Sequence, residues 1–189
     1  DSAGAPDKAA AEWETAGAAW LKLAQAQPYA FQWDRPAAWK REIAAYRNAA
    51  ALWTKLGDKE LALATAEAAA RAARASNDVA LALRAYDRAI TVAHDVAAPA
   101  RKADLLNTVG ILRFRAGEFA RALEAYEHAL VLFESLNDGV HSALILNSIG
   151  AVLAKIGERA KAKDRLTKSV GIARAAGERL LEGHAHALL

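Results

Sequence analysis

The chain contains neither cysteine nor methionine in its 189 residues. The absence of cysteine excludes disulfide bonds, thiolate metal sites and a cysteine nucleophile within these residues. It leaves the compartment open, since a cysteine-free chain is tolerated anywhere, and cytoplasmic is only the default. Because position 1 is not Met, and because the sequence stops at Leu189 without a helix stop signal, we expect a piece of a longer protein.

Long apolar runs and a strong charge of one sign are also missing. No apolar run approaches the ~18–20 residues that span a bilayer, and no signal peptide is visible, so we expect no membrane partner. The 25 basic and 22 acidic residues are interspersed and leave a net charge of +3. This pattern is typical of a solvated surface, and it argues against nucleic acid as a partner.

Proline is scarce, whereas alanine is the commonest residue. The four prolines all lie where helix starts or loops are predicted. Alanine is the best helix former, and its small side chain allows helices to pack closely. Apolar residues make up 54% of the chain, which is enough for a core, and nothing indicates a run of strands. The predicted fold class is all-α.

One short pattern recurs with a period of 40 residues. The pattern Ala-Tyr-x-x-Ala begins at Ala45, Ala85 and Ala125, and a fourth copy keeps Leu166 and Ser169 at the Tyr and second Ala positions. A fixed period of this size is the signature of a solenoid, in which each repeat buries its apolar face against its neighbours.

Helix stop and start signals recur on a 20-residue grid. The pairs are Gly57-Asp58, Asn77-Asp78, Gly117-Glu118, Asn137-Asp138, Gly157-Glu158 and Gly177-Glu178, and Ala97-Ala98-Pro99 fills the missing slot. Gly and Asn can adopt the left-handed conformation that ends a helix. The acidic residue caps the next helix or favours its positive N-terminal end. The grid predicts antiparallel helices at 58–76, 79–96, 100–116, 118–136, 139–156, 158–176 and from 178.

The region before the grid is richer in aromatic residues. We predict an amphipathic helix at 7–27 and an aromatic loop at 28–36 that folds back onto the helices. Pro36 suits the first turn of the next helix. We interpret the five tryptophans as core residues, with a ligand-facing aromatic groove as the alternative. One stripe of that next helix carries Trp39, Ile43, Tyr46, Ala50 and Trp53.

Gly110 and Gly150 lie in the middle of predicted helices, where glycine costs ~1 kcal/mol relative to alanine. This cost is understandable if a neighbouring helix must approach the backbone there. Ala70 occupies the same slot one period earlier. We therefore expect the Ala-Tyr-x-x-Ala helices to pack against these positions.

These positions resemble the signature of the tetratricopeptide repeat (TPR). The best copy reads Leu106-x-x-Val109-Gly110…Gly117-x-Phe119-x-x-Ala122-x-x-x-Tyr126-x-x-Ala129. The next copy departs from the pattern at Arg159 and Ser169, where an aromatic residue and Ala are usual. The resemblance implies a right-handed α-solenoid of antiparallel helix pairs, a TPR-like superhelix with about four repeats plus a partial one.

The period of 40 residues exceeds the usual TPR period of ~34. It is similar to the long-helix repeats of kinesin light chains and bacterial multi-repeat regulators. The form Leu-Asn-x-Val/Ile-Gly at residues 106–110 and 146–150 also resembles bacterial TPR arrays that precede a CHAT domain, a caspase-like cysteine protease. Because this chain has no cysteine, such a catalytic part would lie beyond Leu189.

We expect one TPR-like domain over residues 1–189. A divergent helix and aromatic loop occupy 1–35, and repeat units follow at 36–57, 58–97, 98–137 and 138–177. Residues 178–189 then form a truncated repeat.

The resemblance implies a concave groove lined by the first helix of each pair. Carried over residue by residue, the candidates for binding a peptide are Arg71, Arg74, Asn107, Ile111, Phe114, Arg115, Asn147, Ala151 and Lys155, with Glu67 and Ala154 beside them. An Asn carboxamide both donates and accepts hydrogen bonds, which suits a peptide backbone. Arg and Lys would favour an acidic peptide or a carboxylate. The alternative for Asn107 and Asn147 is that they only bridge adjacent helices.

We expect no catalytic activity from this chain itself. His184 and His186 have the wrong spacing for a shared metal, and His94, His128 and His141 are isolated in the sequence. Asp58 and Glu60 are predicted cap and first-turn residues. We expect no catalytic residue, no metal and no cofactor.

Two functions from different classes remain open. The first is a scaffold that binds a peptide or protein segment, and the second is the regulatory or substrate-recognition arm of a larger enzyme such as a CHAT protease. Self-association through the last helix is a further possibility, because the open end of a solenoid exposes apolar surface.

Overall fold

The computed structural model describes residues 7–16, 18 and 35–188, and helices make up all regular structure in that part of the chain. Helix α1 covers residues 7–16. The others are α2 (Arg35–Leu56), α3 (Lys59–Ala75), α4 (Val79–Asp95), α5 (Pro99–Arg115), α6 (Phe119–Ser135), α7 (Gly139–Lys155), α8 (Arg159–Ala175) and α9 (Arg179–Leu188). The predicted helices from residue 58 onward are confirmed to within one or two residues.

The chain divides into two compact units at Ala98 and Pro99. Helices α1 to α4 form the first unit and α5 to α9 form the second. Pro36 lies in the first turn of α2, as predicted. Residues 17 and 19–27 of the helix predicted at 7–27, and residues 28–34 of the predicted aromatic loop, lie outside the described residues. The prediction that the loop continues to residue 36 is wrong, because α2 begins at Arg35. The expectation of one repeat domain over the whole chain stays a prediction.

From α2 onward, very short turns with a left-handed residue separate the helices. The backbone has a positive φ at Gly57, Gly117, Gly157 and Gly177, and also at Asn77 and Asn137, so every predicted stop residue is confirmed. In the slot that lacks Gly or Asn, Ala97 adopts the same conformation, with φ 55°.

Five of the six acidic residues that follow the stops take one of two roles. Asp58, Asp78 and Asp138 cap the next helix, because each side chain accepts a hydrogen bond of 2.9–3.0 Å from the backbone N–H three residues later. Glu118 and Glu158 make no such bond. They form ion pairs of 3.2 Å with Arg121 and Lys161 instead, each three residues further along the chain in the following helix.

The core of the first unit contains the predicted stripe of α2, and all five of its members are buried. Trp39 and Trp53 therefore belong to the core. Trp13 does not, since 44% of its surface is exposed, and the α1 residue that is buried in the core cluster is the small Ala10. Trp20 and Trp33 lie outside the described residues.

The second unit shows the close helix approach predicted at the mid-helix glycines. A Cβ atom on Gly110 would lie 2.5 Å from the Tyr126 ring, and one on Gly150 would lie 2.6 Å from Leu166. These contacts join α5 to α6 and α7 to α8. The Tyr position of the 40-residue repeat therefore packs directly on the glycine position.

Ser169, a departure from the repeat pattern, has a structural explanation in the second unit. Its buried hydroxyl donates a hydrogen bond of 2.7 Å to the Ala143 carbonyl, which ties α8 to α7. The other departure, Arg159, is exposed. In the preceding copy, Phe119 packs against Phe114 with 5.6 Å between the ring centroids.

Candidate functional site

The candidate binding residues of α5 share one face of the helix. Asn107, Ile111, Phe114 and Arg115 recur at spacings of three and four residues, whereas Leu105, Val109 and Leu112 on the other side are buried. Ile111 is 36% exposed and Arg115 is exposed, while Asn107 and Phe114 are half-buried. This face therefore offers one amide, one cation and an accessible apolar side chain.

The matching face of α7 is smaller and partly covered. Ala151 is half-buried, and Ala154 and Lys155 are exposed. Asn147 is only 8% exposed, and its side-chain amide donates a long hydrogen bond of 3.5 Å to the Leu181 carbonyl of α9. Its Oδ1 atom is buried and has no hydrogen-bond partner among the described residues. The contact with Leu181 joins α7 to α9, as in the alternative interpretation that Asn147 only bridges adjacent helices.

The candidates in the first unit lie on α3. Arg71 and Arg74 are exposed, and Arg71 forms an ion pair of 3.6 Å with Glu67, one turn earlier. Glu67 thus neutralises part of the positive charge that an acidic peptide would meet. Arg74 extends the same side of the helix one turn further.

The tyrosines of the repeat are packing residues. Burial raises the pKa of Tyr126 to about 12, and burial is also the main reason why the pKa of Tyr46 and Tyr86 is raised. A phenol with a raised pKa stays neutral at physiological pH, as a buried packing residue should. In the described part of the chain, no group of three or more acidic or His side chains could hold a metal ion.

His141, which is isolated from the other histidines in the sequence, has two close neighbours in the structure. Its Nδ1 atom lies 2.7 Å from the Asp138 carboxylate, and its ring stacks on Phe133 with a centroid distance of 4.9 Å. The hydrogen bond that the His141 backbone N–H donates to the Asp138 carboxylate is the main cause that lowers the pKa of Asp138. The sequence placed Asp138 at a helix start but gave no sign of the Phe133 contact from the preceding helix.

The first unit also has a pocket that the sequence did not predict. Its volume is about 640 Å³, and it lies over α3 between α2 and α4. The only hint in the sequence was the run of alanines in α3, where larger residues are usual in the family. Its lining consists of Ile43, Arg47, Ala50, Ala51, Thr54, Lys55, Ala66, Ala69, Leu81, Arg84, Ala85, Arg88 and Val92.

The exposed apolar surface of α9 bears on self-association. Leu180 is 82% exposed, whereas Leu181 and Ala185 are buried. Self-association through this helix stays a prediction. None of the described helices combines the length and the apolar character that crossing a membrane requires.

Comparisons with known proteins agree with the repeat pattern. Residues 101–175 match the family model of the tetratricopeptide repeat. No curated protein is significantly similar in sequence. Many solved structures share the fold. One is BtubC (BKLC) from P. vanneervenii, with 14% identity and a TM-score of 0.54 over 98% of this chain and 88% of that one.

In two further matches, this chain corresponds to only part of a longer chain. A signal transduction ATPase with numerous domains (STAND) from Pyrococcus horikoshii, described as having a tetratricopeptide repeat sensor, has 12% identity and a TM-score of 0.67. The match covers 89% of this chain and 28% of that one. Aspartyl phosphate phosphatase F from Bacillus subtilis has 13% identity and a TM-score of 0.58, over 97% of this chain and 56% of that one.

These likenesses concern the fold, and they confirm the predicted class: an all-α, TPR-like solenoid built from adjacent antiparallel helices. The family match covers the two copies with the clearest signature, from α5 to α8. Residues 101–175 therefore match the tetratricopeptide repeat family, and over most of its length the chain shares its fold with solved repeat proteins.

Proposed function

We propose that the chain is a scaffold that binds a peptide or protein segment on the exposed faces of the first helices of its repeats. Tetratricopeptide repeats are generally protein-interaction scaffolds. The observation that carries the proposal is the face of α5, where Asn107, Ile111 and Arg115 line up one turn apart and are reachable from solvent. An amide can hold a peptide backbone, Arg115 can bind a carboxylate, and Ile111 can cover an apolar side chain.

The candidates on the other first helices contribute unequally to this proposal. Ala151 and Lys155 extend the binding face onto α7, and Arg71 and Arg74 provide a separate basic face in the first unit. We assign Asn147 a positioning role, since its amide already contacts α9. The preferred ligand is an acidic peptide or a chain end with a free carboxylate.

The test is a selection of peptides from a random phage-displayed library on the whole chain. Enriched peptides are then synthesised and titrated by fluorescence anisotropy. We expect acidic peptides, and at least a tenfold loss of affinity in Asn107→Ala and in Arg115→Glu, because each variant removes a direct contact. Circular dichroism should show unchanged helicity.

A control variant and a double variant complete this test. Arg159→Glu changes another exposed cation, on α8, and should leave the affinity unchanged. The double variant Asn107→Ala with Asn147→Ala should also weaken binding while retaining helicity. Peptides whose affinity is the same in wild type and in both α5 variants would refute the assignment of this face, and an equal loss of folding in the double variant would assign both amides to packing.

The alternative function is a regulatory or substrate-recognition arm of a larger enzyme, with a CHAT protease as its sharpest form. Two observations favour it: the Leu-Asn-x-Val/Ile-Gly form of α5 and α7, and the likeness to a STAND protein whose repeats are described as a sensor. The coding sequence downstream of Leu189 tests it. A following domain with a His–Cys pair would support the enzyme arm, whereas a stop codon after a polar capping helix would support a free-standing scaffold.

A further inference from the structure

The pocket of the first unit has an apolar floor and basic walls. Ala66 and Ala69 of α3 form part of the floor, and their short side chains leave the space between α2 and α4 unfilled. Arg47 and Lys55 line the α2 side, and Arg84 and Arg88 line the α4 side. No acidic residue is among the described residues that line the pocket. The local charge is thus four positive groups against none, in a chain whose net charge is only +3.

These four cations are available to a ligand. No carboxylate among the described residues forms an ion pair with Arg47, Lys55, Arg84 or Arg88. Such long side chains can lay their methylene stems along the apolar walls and keep their charged ends at the rim. A partner that brings carboxylates to the rim would therefore gain several ion pairs without breaking any ion pair that the described residues form with these cations.

The length of the pocket indicates the size of the occupant. On α2 the lining extends from Ile43 to Lys55, which is roughly 18 Å at ~1.5 Å per residue. The α4 side, from Leu81 to Val92, is of similar length. A helix of three turns has these dimensions. On α2 the two cations are eight residues apart, about 12 Å along the helix, which is farther than one carboxylate headgroup can bridge.

The chemistry of the lining favours a helical occupant over an extended one. An extended peptide would place its backbone N–H and C=O groups against alanine and other apolar side chains, where they would lose water without gaining partners. The one hydroxyl in the lining, that of Thr54, already donates to the Ala50 carbonyl at 2.8 Å. A helix satisfies its own backbone and presents only side chains to the pocket.

We propose that the pocket between α2 and α4 is a docking groove for an acidic amphipathic helix of about three turns, whose apolar side chains fill the alanine floor and whose carboxylates pair with the four rim cations. This groove goes beyond the proposed binding faces of α3, α5 and α7. On α3, Ala66 and Ala69 lie on a different side of the helix from Arg71 and Arg74. The two sites can therefore be tested separately.

The probe is a fluorescein-labelled synthetic peptide of about 14 residues, roughly four turns, with Leu at spacings of three and four and Glu on both flanks. Fluorescence anisotropy on the whole chain should give saturable binding that weakens as salt is added, because the ion pairs are at the surface. Two control peptides are used: one with every Glu replaced by Lys, and one with a central Pro that breaks the helix. Both should bind at least tenfold more weakly.

Two protein variants locate the binding site. Ala51 lines the groove but is exposed, so Ala51→Trp blocks the groove without entering the core, and it should lower the affinity at least tenfold. Arg84→Glu with Arg88→Glu reverses two rim charges one turn apart and should do the same. The matched control is Arg159→Glu with Lys163→Glu, a pair of exposed cations with the same spacing on α8, and it should leave the affinity unchanged.

Several results would overturn the proposal. They are the absence of saturable binding, equal binding of the Lys peptide or the Pro peptide, and unchanged affinity in the Arg84 and Arg88 double variant. Efficient competition by dodecanoate, with no preference for a helical peptide, would assign the pocket to a fatty-acyl ligand instead. If Ala51→Trp does not fold, the charge variants still decide the outcome. Asn107→Ala should not affect this peptide, which separates a failure here from a failure of the α5 face.

Discussion

At the scale of single residues, the glycine in the middle of α5 reports how closely the helices of this protein pack. The Tyr126 ring occupies the space in which a Cβ atom of Gly110 would lie. One repeat earlier, the same slot holds Ala70, which is also fully buried, in the helix that precedes Tyr86. The same type of helix pair thus tolerates a methyl group in the first unit and excludes it in the second.

We expect Gly110→Ala to destabilise the second unit by about 1 kcal/mol. Overpacking against a rigid ring costs about 1–3 kcal/mol, and the better helix propensity of Ala returns ~1 kcal/mol. Gly171→Ala on α8 is the matched control, since no atom of the described residues lies within 4 Å of its added Cβ, and it should stabilise by ~1 kcal/mol. Urea unfolding measures both variants. If both changed stability in the same direction, the close contact would be irrelevant to stability.

Glu42 of α2 makes stability depend on pH. Its side chain is fully buried, and both carboxylate oxygens lack hydrogen-bond partners among the described residues. Burial raises the pKa of Glu42 from 4.5 to about 7. The folded state therefore holds a proton that the unfolded state releases at a lower pH. The contribution of Glu42 to the free energy of unfolding should be most favourable below about pH 4.5 and should fall as the pH rises to about 7.

The expected loss between pH 4.5 and pH 8 is at most about 3 kcal/mol, since each pKa unit corresponds to ~1.4 kcal/mol. Glu42→Gln keeps the shape of the side chain and removes its charge. Thermal unfolding of this variant should depend less on pH than that of the wild type across this window. An identical pH dependence in the two proteins would mean that Glu42 is solvated in the folded state.

At the scale of helices and turns, Ala97 shows that the position in the repeat determines backbone conformation more strongly than the residue type. The turn after α4 has the same two hydrogen bonds as the turn after α5. The N–H of Ala97 donates to His94 and that of Ala98 donates to Ala93, just as Gly117 and Glu118 bond to Phe114 and Arg113. Ala97 therefore takes a left-handed conformation that is costly for any residue with a Cβ atom.

Ala97→Gly should stabilise the protein by up to ~1 kcal/mol. It removes a backbone cost of about 1–2 kcal/mol, from which the larger entropy of glycine in the unfolded chain subtracts about 0.4–1 kcal/mol. Gly117→Ala is the reciprocal change and should destabilise by up to ~1 kcal/mol, because no atom of the described residues lies within 4 Å of the new Cβ and the same two contributions apply with opposite signs. Chemical denaturation of the pair should give opposite signs. Equal signs would show that the turn relaxes to another conformation.

At the scale of the whole molecule, stability and binding both follow from contacts between helices that are close in sequence. In the second unit each helix packs against the next one along the chain, and α7 also contacts α9. Repeat proteins of this kind are stabilised by such neighbour contacts. Their two sets of alternating helices leave two kinds of surface. In this chain, we propose a peptide-binding face on the first helices and an acidic-helix groove on the second ones.

Sequence and structure agree best where the determining interaction is local. The 20-residue grid of Gly and Asn stops placed the helices from residue 58 to within one or two residues, because a left-handed residue ends a helix whatever surrounds it. The 40-residue repeat also predicted the approach at Gly110, since only a neighbouring backbone or side chain explains glycine there. The match of residues 101–175 to the tetratricopeptide repeat model rests on the same signature residues.

Contacts across helices were decided only by the tertiary structure. Nothing near Asn147 in the sequence indicates that the Leu181 carbonyl, on another helix, lies 3.5 Å from its amide. The groove between α2 and α4 likewise depends on how far apart those helices lie, and alanines in α3 could equally have drawn them together. By itself the sequence determined the helices, their order and their repeat, because those follow from local conformation and periodicity. The tertiary structure alone decided which polar and charged groups are left exposed, because that depends on the distances between packed helices.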